Sequence, residues 1–143
     1  MTEPDKPIID TLMLIDDSEV DLLIYDRIIK RSGLVGNTLT FLTADLALEF
    51  IESGKCPSID AIILDVNMPR MNGFEFLEAL ETSPAVKQII CIIVMLTTSL
   101  DPRDKQRAEA SPLVTEFLYK PLIMEHLKTI ARNVEAKRNA EPD

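Results

Sequence analysis

The sequence has few of the residues that build disulfide frameworks. It contains two cysteines, Cys56 and Cys91, and they do not form a Cys-x-x-Cys pair. Two isolated cysteines are typical of reduced thiols in a cytoplasmic protein. With 143 residues, the chain is long enough to bury a substantial core without disulfides or a structural metal.

Basic residues are also scarce. The chain has 15 Lys and Arg residues against 24 Asp and Glu residues, giving a formal net charge of -9, and no dense basic run. This balance argues against nonspecific binding to nucleic acid or to an anionic membrane surface. We therefore expect neither nucleic acid nor a membrane among the partners.

Long apolar segments are absent as well. The longest apolar run, Ile89 to Leu96, is far shorter than the roughly 20 residues that a membrane-spanning helix needs. The start, Met1 to Pro7, lacks the basic and apolar stretches of a signal peptide. We expect a cytoplasmic protein with a flexible N-terminus at 1–9, one domain at 10–137 and a flexible tail at 138–143.

Short apolar runs alternate with amphipathic helical patterns along the chain. Most runs are continuously apolar, which is typical of parallel strands covered on both faces. The predicted strands are Thr11–Ile15, Thr38–Leu42, Ala61–Leu64, Ile89–Leu96 and Phe117–Tyr119. The second run alternates more than the others, which indicates an edge strand.

Helix-start signals stand between these runs. Capping residues or an N-terminal proline occur at Ser18 with Asp21, Thr43, Asn72 and Asp101-Pro102, and the last helix begins near Ile123. In the first amphipathic helix, Val20, Leu23, Ile24 and Ile28 fall on one helical face. Alternating units of this kind predict an α/β fold, a doubly wound five-stranded parallel sheet with helices on both faces.

Polar side chains follow four of the predicted strands. Asp16 and Asp17 come after the first run, Asp65 ends the third, and Thr97 and Lys120 follow the fourth and fifth. Ligands of such sheets bind at the carboxyl ends of the strands. Three carboxylates brought together there repel one another, and an oxygen-only ligand set without His or Cys suits Mg²⁺.

The other two residues complete a set suited to phosphoryl transfer. Lys120 supplies a compact cation for an anionic ligand, and the Thr97 hydroxyl can hydrogen-bond a phosphoryl oxygen. A metal, a lysine, a hydroxyl and a carboxylate nucleophile are the parts that transfer to an aspartate requires. Each residue alone also fits an ordinary role, such as a helix cap or a turn. Their joint placement at one sheet edge favours the functional interpretation.

These motifs resemble the bacterial two-component response-regulator receiver family, in the form of a CheY-like, stand-alone receiver. The resemblance covers Leu12 to Val134 and implies a flavodoxin-like strand order of 2-1-3-4-5. Its most specific stretch runs from Asp65 to Gly73. The motifs are Leu14-Ile15-Asp16-Asp17, Leu64-Asp65-Val66-Asn67-Met68-Pro69, Met71-Asn72-Gly73, Met95-Leu96-Thr97-Thr98 and Lys120-Pro121.

The resemblance implies a Mg²⁺ site around the phosphoacceptor. Asp65 resembles the residue that is phosphorylated. Asp17 and Asp65 resemble direct carboxylate ligands of Mg²⁺, with Asp16 contributing through water. Asn67 is expected to add its backbone carbonyl.

The resemblance also implies the parts of a switch. Thr97 resembles the hydroxyl that closes on the phosphoryl group, and Lys120 the lysine that pairs with it, before a cis bond to Pro121. Phe117 occupies the position of the switch aromatic, although a plain core aromatic is an equally good interpretation of that residue.

The expected function is therefore that of a signalling switch and not of an enzyme with a separate substrate. The phosphoryl group is expected from a sensor histidine kinase or a His phosphotransfer protein, and the output is a change in protein binding. An unidentified target protein, a phosphorelay intermediate or a second copy of the chain would receive the signal.

Three other functions are alternatives. A binding module that ignores phosphate would bind no Mg²⁺, and the complete set of Asp65, Thr97 and Lys120 argues against it. A Mg²⁺-dependent phosphohydrolase needs a second carboxylate two residues after its nucleophile, where this sequence has Asn67. A flavin-binding protein fits less well, because no Gly-rich or Ser/Thr-rich phosphate loop follows the first run.

Overall fold

The computed structural model describes residues 6–85 and 91–140. Strands and helices alternate strictly through these residues. The strands are β1 (Ile9–Ile15), β2 (Val35–Phe41), β3 (Ala61–Asp65), β4 (Ile92–Thr97) and β5 (Glu116–Tyr119). The helices are α1 (Glu19–Ser32), α2 (Ala44–Glu52), α3 (Gly73–Thr82), α4 (Pro102–Ala110) and α5 (Met124–Ala140).

The strands form one parallel sheet in the order β2-β1-β3-β4-β5. This confirms the predicted fold class and strand order, with β2 at one edge. Two residues of the predicted fourth run, Ile89 and Ile90, lie outside the described residues. Regular structure extends from Ile9 to Ala140, slightly beyond the predicted domain limits, and the flexibility of both termini stays a prediction.

Each central strand contributes side chains to two separate apolar cores. Met13 and Ile15 of β1 pack with α2 and α3, whereas Leu12 and Leu14 pack with α1 and α5. This alternation follows from the two-residue period of a strand. It explains why the runs are continuously apolar: helices cover both faces of the sheet.

The predicted helix starts are confirmed. Ser18, Thr43, Asn72 and Asp101 are the observed N-caps of α1 to α4. Asn72 and Glu75 form a complete capping box, in which each side chain accepts a backbone N–H at 2.9 Å. In contrast, Ser18 accepts the N–H of Asp21, but the Asp21 carboxylate bonds elsewhere.

The apolar face expected for the first helix is wrong for three of its four residues, because only Ile28 packs, partly buried, against the core. The buried residues of α1 are Leu22, Tyr25 and Ile29, whereas Val20, Leu23 and Ile24 are 65%, 56% and 45% exposed. Apolar residues surround α1, so periodicity alone did not decide which stripe packs on the sheet. The structure leaves an apolar surface beside the carboxyl ends of the strands.

Candidate functional site

The carboxyl ends of the strands lie side by side and deliver polar residues to one edge of the sheet. We call this edge the carboxyl rim and define it by Asp16, Asp17, Asp65, Thr97 and Lys120. Backbone hydrogen bonds fix its register, because the Lys120 N–H donates to the Thr97 carbonyl at 2.8 Å. The structure thus brings together the residues that the sequence placed at these strand ends.

Three carboxylates of the carboxyl rim converge. One oxygen each of Asp16, Asp17 and Asp65 lies within 4.8 Å of the others. Asp16 and Asp65 are buried, while Asp17 is exposed. A set of three oxygen donors, open to solvent on one side, fits Mg²⁺, which prefers carboxylates and retains several waters.

Asp16 already uses both of its oxygens. Its Oδ1 accepts the backbone N–H of Ser18 at 2.9 Å, and its Oδ2 lies 2.9 Å from the Lys120 Nζ. These contacts leave Asp17 and Asp65 better placed as direct ligands. The arrangement is consistent with the expectation that Asp16 acts through water.

Lys120 is the cation of the carboxyl rim. Its ammonium lies 2.9 Å from Asp16, 3.1 Å from Asp21 and 3.6 Å from Asp65. Burial by itself lowers the pKa of Lys120, but the hydrogen bond to Asp16 and the charge of Asp65 raise it above its ordinary value. Lys120 is therefore charged at every physiological pH.

The three clustered carboxylates carry more negative charge than the single lysine balances. Burial and then the charge of Asp16 raise the pKa of Asp65 from 3.8 to about 7, although Lys120 acts in the opposite direction. A divalent cation beside Asp65 would favour its ionised form. The electrostatics of the site thus agree with a metal-binding role and with an aspartate that needs a counter-charge.

The backbone around Asp65 is tightly enclosed by the start of α3. A Cβ added to Gly73 would lie 2.6 Å from the Asp65 carbonyl oxygen and 3.1 Å from the Val66 Cα. The Gly73 N–H donates to the Val66 carbonyl at 2.8 Å. Glycine is therefore required at this position by close contact between two backbones.

Thr97 is fully buried at the end of β4. Its Oγ1 accepts the backbone N–H of Ser99 at 2.9 Å, and the Ser99 hydroxyl donates to Asp104 at 2.6 Å. The loop after β4 is therefore tied to the first turn of α4. Any movement of the Thr97 hydroxyl toward Asp65 requires the Ser99 backbone to move with it or release it.

The remaining predicted residues lie near the carboxyl rim. Phe117 is partly buried and makes an edge contact with Tyr119, with ring centroids 5.7 Å apart. The bond between Lys120 and Pro121 is cis, as expected. Asn67 is exposed next to Asp65, and its carbonyl as a metal ligand stays a prediction.

Sequence reasoning missed the role of Asp21, which it assigned to a helix cap. The Asp21 carboxylate instead contacts Lys120, a residue 99 positions away. The sequence carries no local signal for this contact, because Asp21 lies in α1 and Lys120 follows β5.

Comparison with known proteins identifies the family. The family model described as the response regulator receiver domain matches residues 12–132. Over 123 residues, the chain is 31% identical to hybrid signal transduction histidine kinase B of Dictyostelium discoideum, covering 80% of this chain. The chain spans only 6% and 54% of the length of the first two curated relatives it matches.

Solved structures agree with the sequence matches. A two-component response regulator from Cytophaga hutchinsonii superposes with a TM-score of 0.79 at 30% identity, covering 90% of this chain and 98% of that one. Chemotaxis protein CheY4 of Vibrio cholerae gives a TM-score of 0.69 at 29% identity, covering 88% and 98%. The chain therefore belongs to the response regulator receiver domain family, which carries phosphorylation-based signals in two-component systems.

Proposed function

We propose that Asp65 accepts a phosphoryl group and that the resulting change at the carboxyl rim alters protein binding. The observation that carries this proposal is the convergence of Asp16, Asp17 and Asp65, with oxygens within 4.8 Å, beside the Lys120 ammonium. This arrangement combines a carboxylate nucleophile with fixed positive charge next to it. The chain acts as a switch and catalyses only its own modification.

The transfer is a displacement at phosphorus. An ionised Asp65 oxygen attacks the phosphorus of a phosphohistidine, and the P–N bond breaks as the P–O bond forms. The histidine ring, protonated on its other nitrogen, keeps the electron pair of the broken bond and leaves as neutral imidazole. Lys120 lies 3.6 Å from Asp65 Oδ1, close enough to donate to an oxygen of the incoming group after a small movement.

Mg²⁺ is the cofactor that these residues would hold. Asp17 and Asp65 would bind it directly, Asp16 through water, and Asn67 through its carbonyl. When bound, the cation would neutralise charge on the phosphoryl oxygens. Asp65 itself must be ionised to react, and the raised pKa explains why it needs positive charge nearby.

Signalling follows from the new demand for hydrogen-bond donors around Asp65. A phosphoryl group adds acceptor oxygens there, and Thr97 would satisfy one of them by leaving its present bond to Ser99. Phe117 and its edge partner Tyr119 lie on the neighbouring strand. Movement of the Thr97 loop would change the space beside these rings and pass the change to the surface.

The phosphoryl donor is a sensor histidine kinase or a His phosphotransfer protein. The exposed apolar surface of Val20, Leu23 and Ile24, beside the carboxyl rim, supports docking of such a partner. We expect Leu23→Glu to slow transfer from a phosphorylated His phosphotransfer protein while leaving transfer from phosphoramidate unchanged. Equal rates of transfer from the His phosphotransfer protein to the wild type and to Leu23→Glu would contradict docking at this surface.

Location, origin and further partners are also proposals. No helix within the two described ranges has the length and hydropathy of a membrane span. Both cysteines are free thiols, which supports a cytoplasmic location. Bacterial origin, stand-alone status, a second copy as partner and the identity of the target stay predictions.

A direct test is intact-mass spectrometry after incubation with phosphoramidate and Mg²⁺. We expect the wild type to gain one phosphoryl group, EDTA to abolish the gain, and Asp65→Ala to show none. A folded wild type without this gain would favour a phosphate-independent binding module. Continuous release of phosphate from an added phosphomonoester would instead indicate a phosphohydrolase.

A further inference from the structure

Asp21 is a carboxylate that contacts Lys120 but lies outside the metal cluster. It stands in the first turn of α1, and one of its oxygens accepts from Lys120 Nζ at 3.1 Å. Its side chain is 34% exposed, whereas that of Asp65 is 6% exposed. Lys120 therefore connects α1, on the solvent side, with the buried ends of the strands.

The distances rank the partners of Lys120 in the unphosphorylated protein. Asp16 at 2.9 Å and Asp21 at 3.1 Å are within hydrogen-bond distance, while Asp65 at 3.6 Å is not. An ammonium group has three N–H donors. One of them is donated to Asp21, and Asp16 forms an ion pair with the ammonium at 2.9 Å; neither carboxylate receives the phosphoryl group.

Phosphorylation changes what Lys120 is required to do. The phosphoryl oxygens on Asp65 need its donors, and Asp16 is also needed beside the metal. Asp21 has neither function, and a contact that keeps the ammonium 3.1 Å from Asp21 opposes its closer approach to Asp65, now 3.6 Å away. A site whose competent state is populated only in part shows an apparent affinity reduced by that fraction.

We propose that Asp21 is a positioning residue that holds Lys120 away from Asp65 and so limits how readily the site accepts a phosphoryl group. This inference rests on the proposed function of Asp65. It assigns a role to the half-formed capping box of α1: the Ser18 side chain caps the helix by accepting the Asp21 N–H, while the Asp21 carboxylate is free to hold the lysine.

The test compares Asp21→Asn with Glu19→Gln. Glu19 lies in the same first turn and is exposed, and its replacement removes the same charge without touching Lys120. Beryllofluoride with Mg²⁺, a phosphoryl mimic, is titrated into each protein and followed by fluorine NMR. We expect Asp21→Asn to bind about 3-fold more tightly than the wild type, as for loss of a partly exposed ion pair. Glu19→Gln should match the wild type.

A second readout reports the lysine itself in the unliganded protein. The ¹⁵N ammonium resonance of Lys120, assigned with Lys120→Arg, should shift in Asp21→Asn and stay unchanged in Glu19→Gln. Asp21→Glu keeps the charge and should therefore bind beryllofluoride with nearly the wild-type affinity. A purely structural effect of replacing Asp21 would not give this result.

The outcomes separate the two proposals. If the wild type binds beryllofluoride and Asp21→Asn behaves like Glu19→Gln in both readouts, the positioning role is wrong while Asp65 remains the acceptor. If Asp21→Asn binds more weakly than the wild type, Asp21 assists the site and the proposed competition is overturned. If the wild type binds no beryllofluoride, the proposed function fails and the competition fails with it.

Discussion

Charged side chains lie at both ends of the sheet, but the two ends differ in whether the fold supplies partners for them. At the amino end, which we call the amino rim, Asp10, Asp60 and Arg138 surround the starts of β1 and β3. At the carboxyl rim, three carboxylates converge, and Lys120 contacts two of them, Asp16 and Asp65. At the amino rim the protein itself supplies donors for Asp60, whereas at the carboxyl rim negative charge exceeds the positive charge beside it.

Contacts at the amino rim show this balance. The Asp60 Oδ2 accepts the backbone N–H groups of Asp10 at 2.7 Å and Thr11 at 3.4 Å. Its Oδ1 lies 3.4 Å from Arg138, which also donates to the Ile8 carbonyl at 3.1 Å. Each Asp60 oxygen has a donor supplied by the fold itself, so these charges hold β1, β3 and α5 together.

The difference separates charges that stabilise the fold from charges that await a ligand. A buried carboxylate with a strongly raised pKa lowers stability unless something binds it, and evolution retains such groups mainly at functional sites. Asp65 meets this description, whereas Asp60 accepts backbone N–H groups of β1. The comparison therefore predicts opposite effects when each acid is neutralised.

The largest expected effect is a gain in stability at the carboxyl rim. In the folded protein the pKa of Asp65 is about 7, against an ordinary value of 3.8. Stability from this group is fully present below pH 3.8 and is lost as pH rises toward 7. We expect Asp65→Asn to raise the free energy of unfolding by about 2–4 kcal/mol at pH 8 in EDTA, measured by urea denaturation.

The pH and metal dependence give the control for Asp65→Asn. The gain should shrink as pH falls from 7 toward 4, because protonation then neutralises Asp65 in the wild type. Added Mg²⁺ should stabilise the wild type more than the variant. A variant that is less stable than the wild type at pH 8 would contradict the view that the carboxyl rim is unbalanced.

At the amino rim, neutralising the acid should have the opposite effect. Asp60→Ala removes the acceptor of two backbone N–H groups, one of them on buried Thr11. We expect the free energy of unfolding to fall by about 1–3 kcal/mol, independently of Mg²⁺. Phosphorylation by phosphoramidate should remain at the wild-type rate, and a loss of Mg²⁺-dependent labelling would show that the two rims are coupled.

The carboxyl rim was largely predictable from the sequence, for a simple reason. Continuous apolar runs end abruptly in Asp16, Asp65 and Thr97, and parallel strands bring those ends to one edge. Both the strand order and the placement of the polar residues follow from local patterns together with the family resemblance.

Features that depend on contacts distant in sequence were not predictable in this way. The buried stripe of α1 is set by which of several apolar faces meets the sheet, and hydrophobic periodicity weighs Leu22 and Leu23 almost equally. The Asp21 contact with Lys120 joins residues 99 positions apart. The amino rim was also not anticipated, because Asp60 and Arg138 carry no motif and meet only when α5 packs beside β1 and β3.

The smallest expected effect tests how far the balance at the amino rim depends on its cation. Arg138 is 46% exposed and its nearest carboxylate oxygen lies 3.4 Å away, so solvent weakens the pair. We expect Arg138→Met to lower the free energy of unfolding by about 0.5 kcal/mol, compared with Arg132→Met, an exposed neighbour on α5. The backbone N–H groups still donate to Asp60 in this variant, so most of the stabilising effect of Asp60 should remain. If the free energy of unfolding falls as far as in Asp60→Ala, then Arg138, and not the strand backbone, is the main partner of Asp60 at the amino rim.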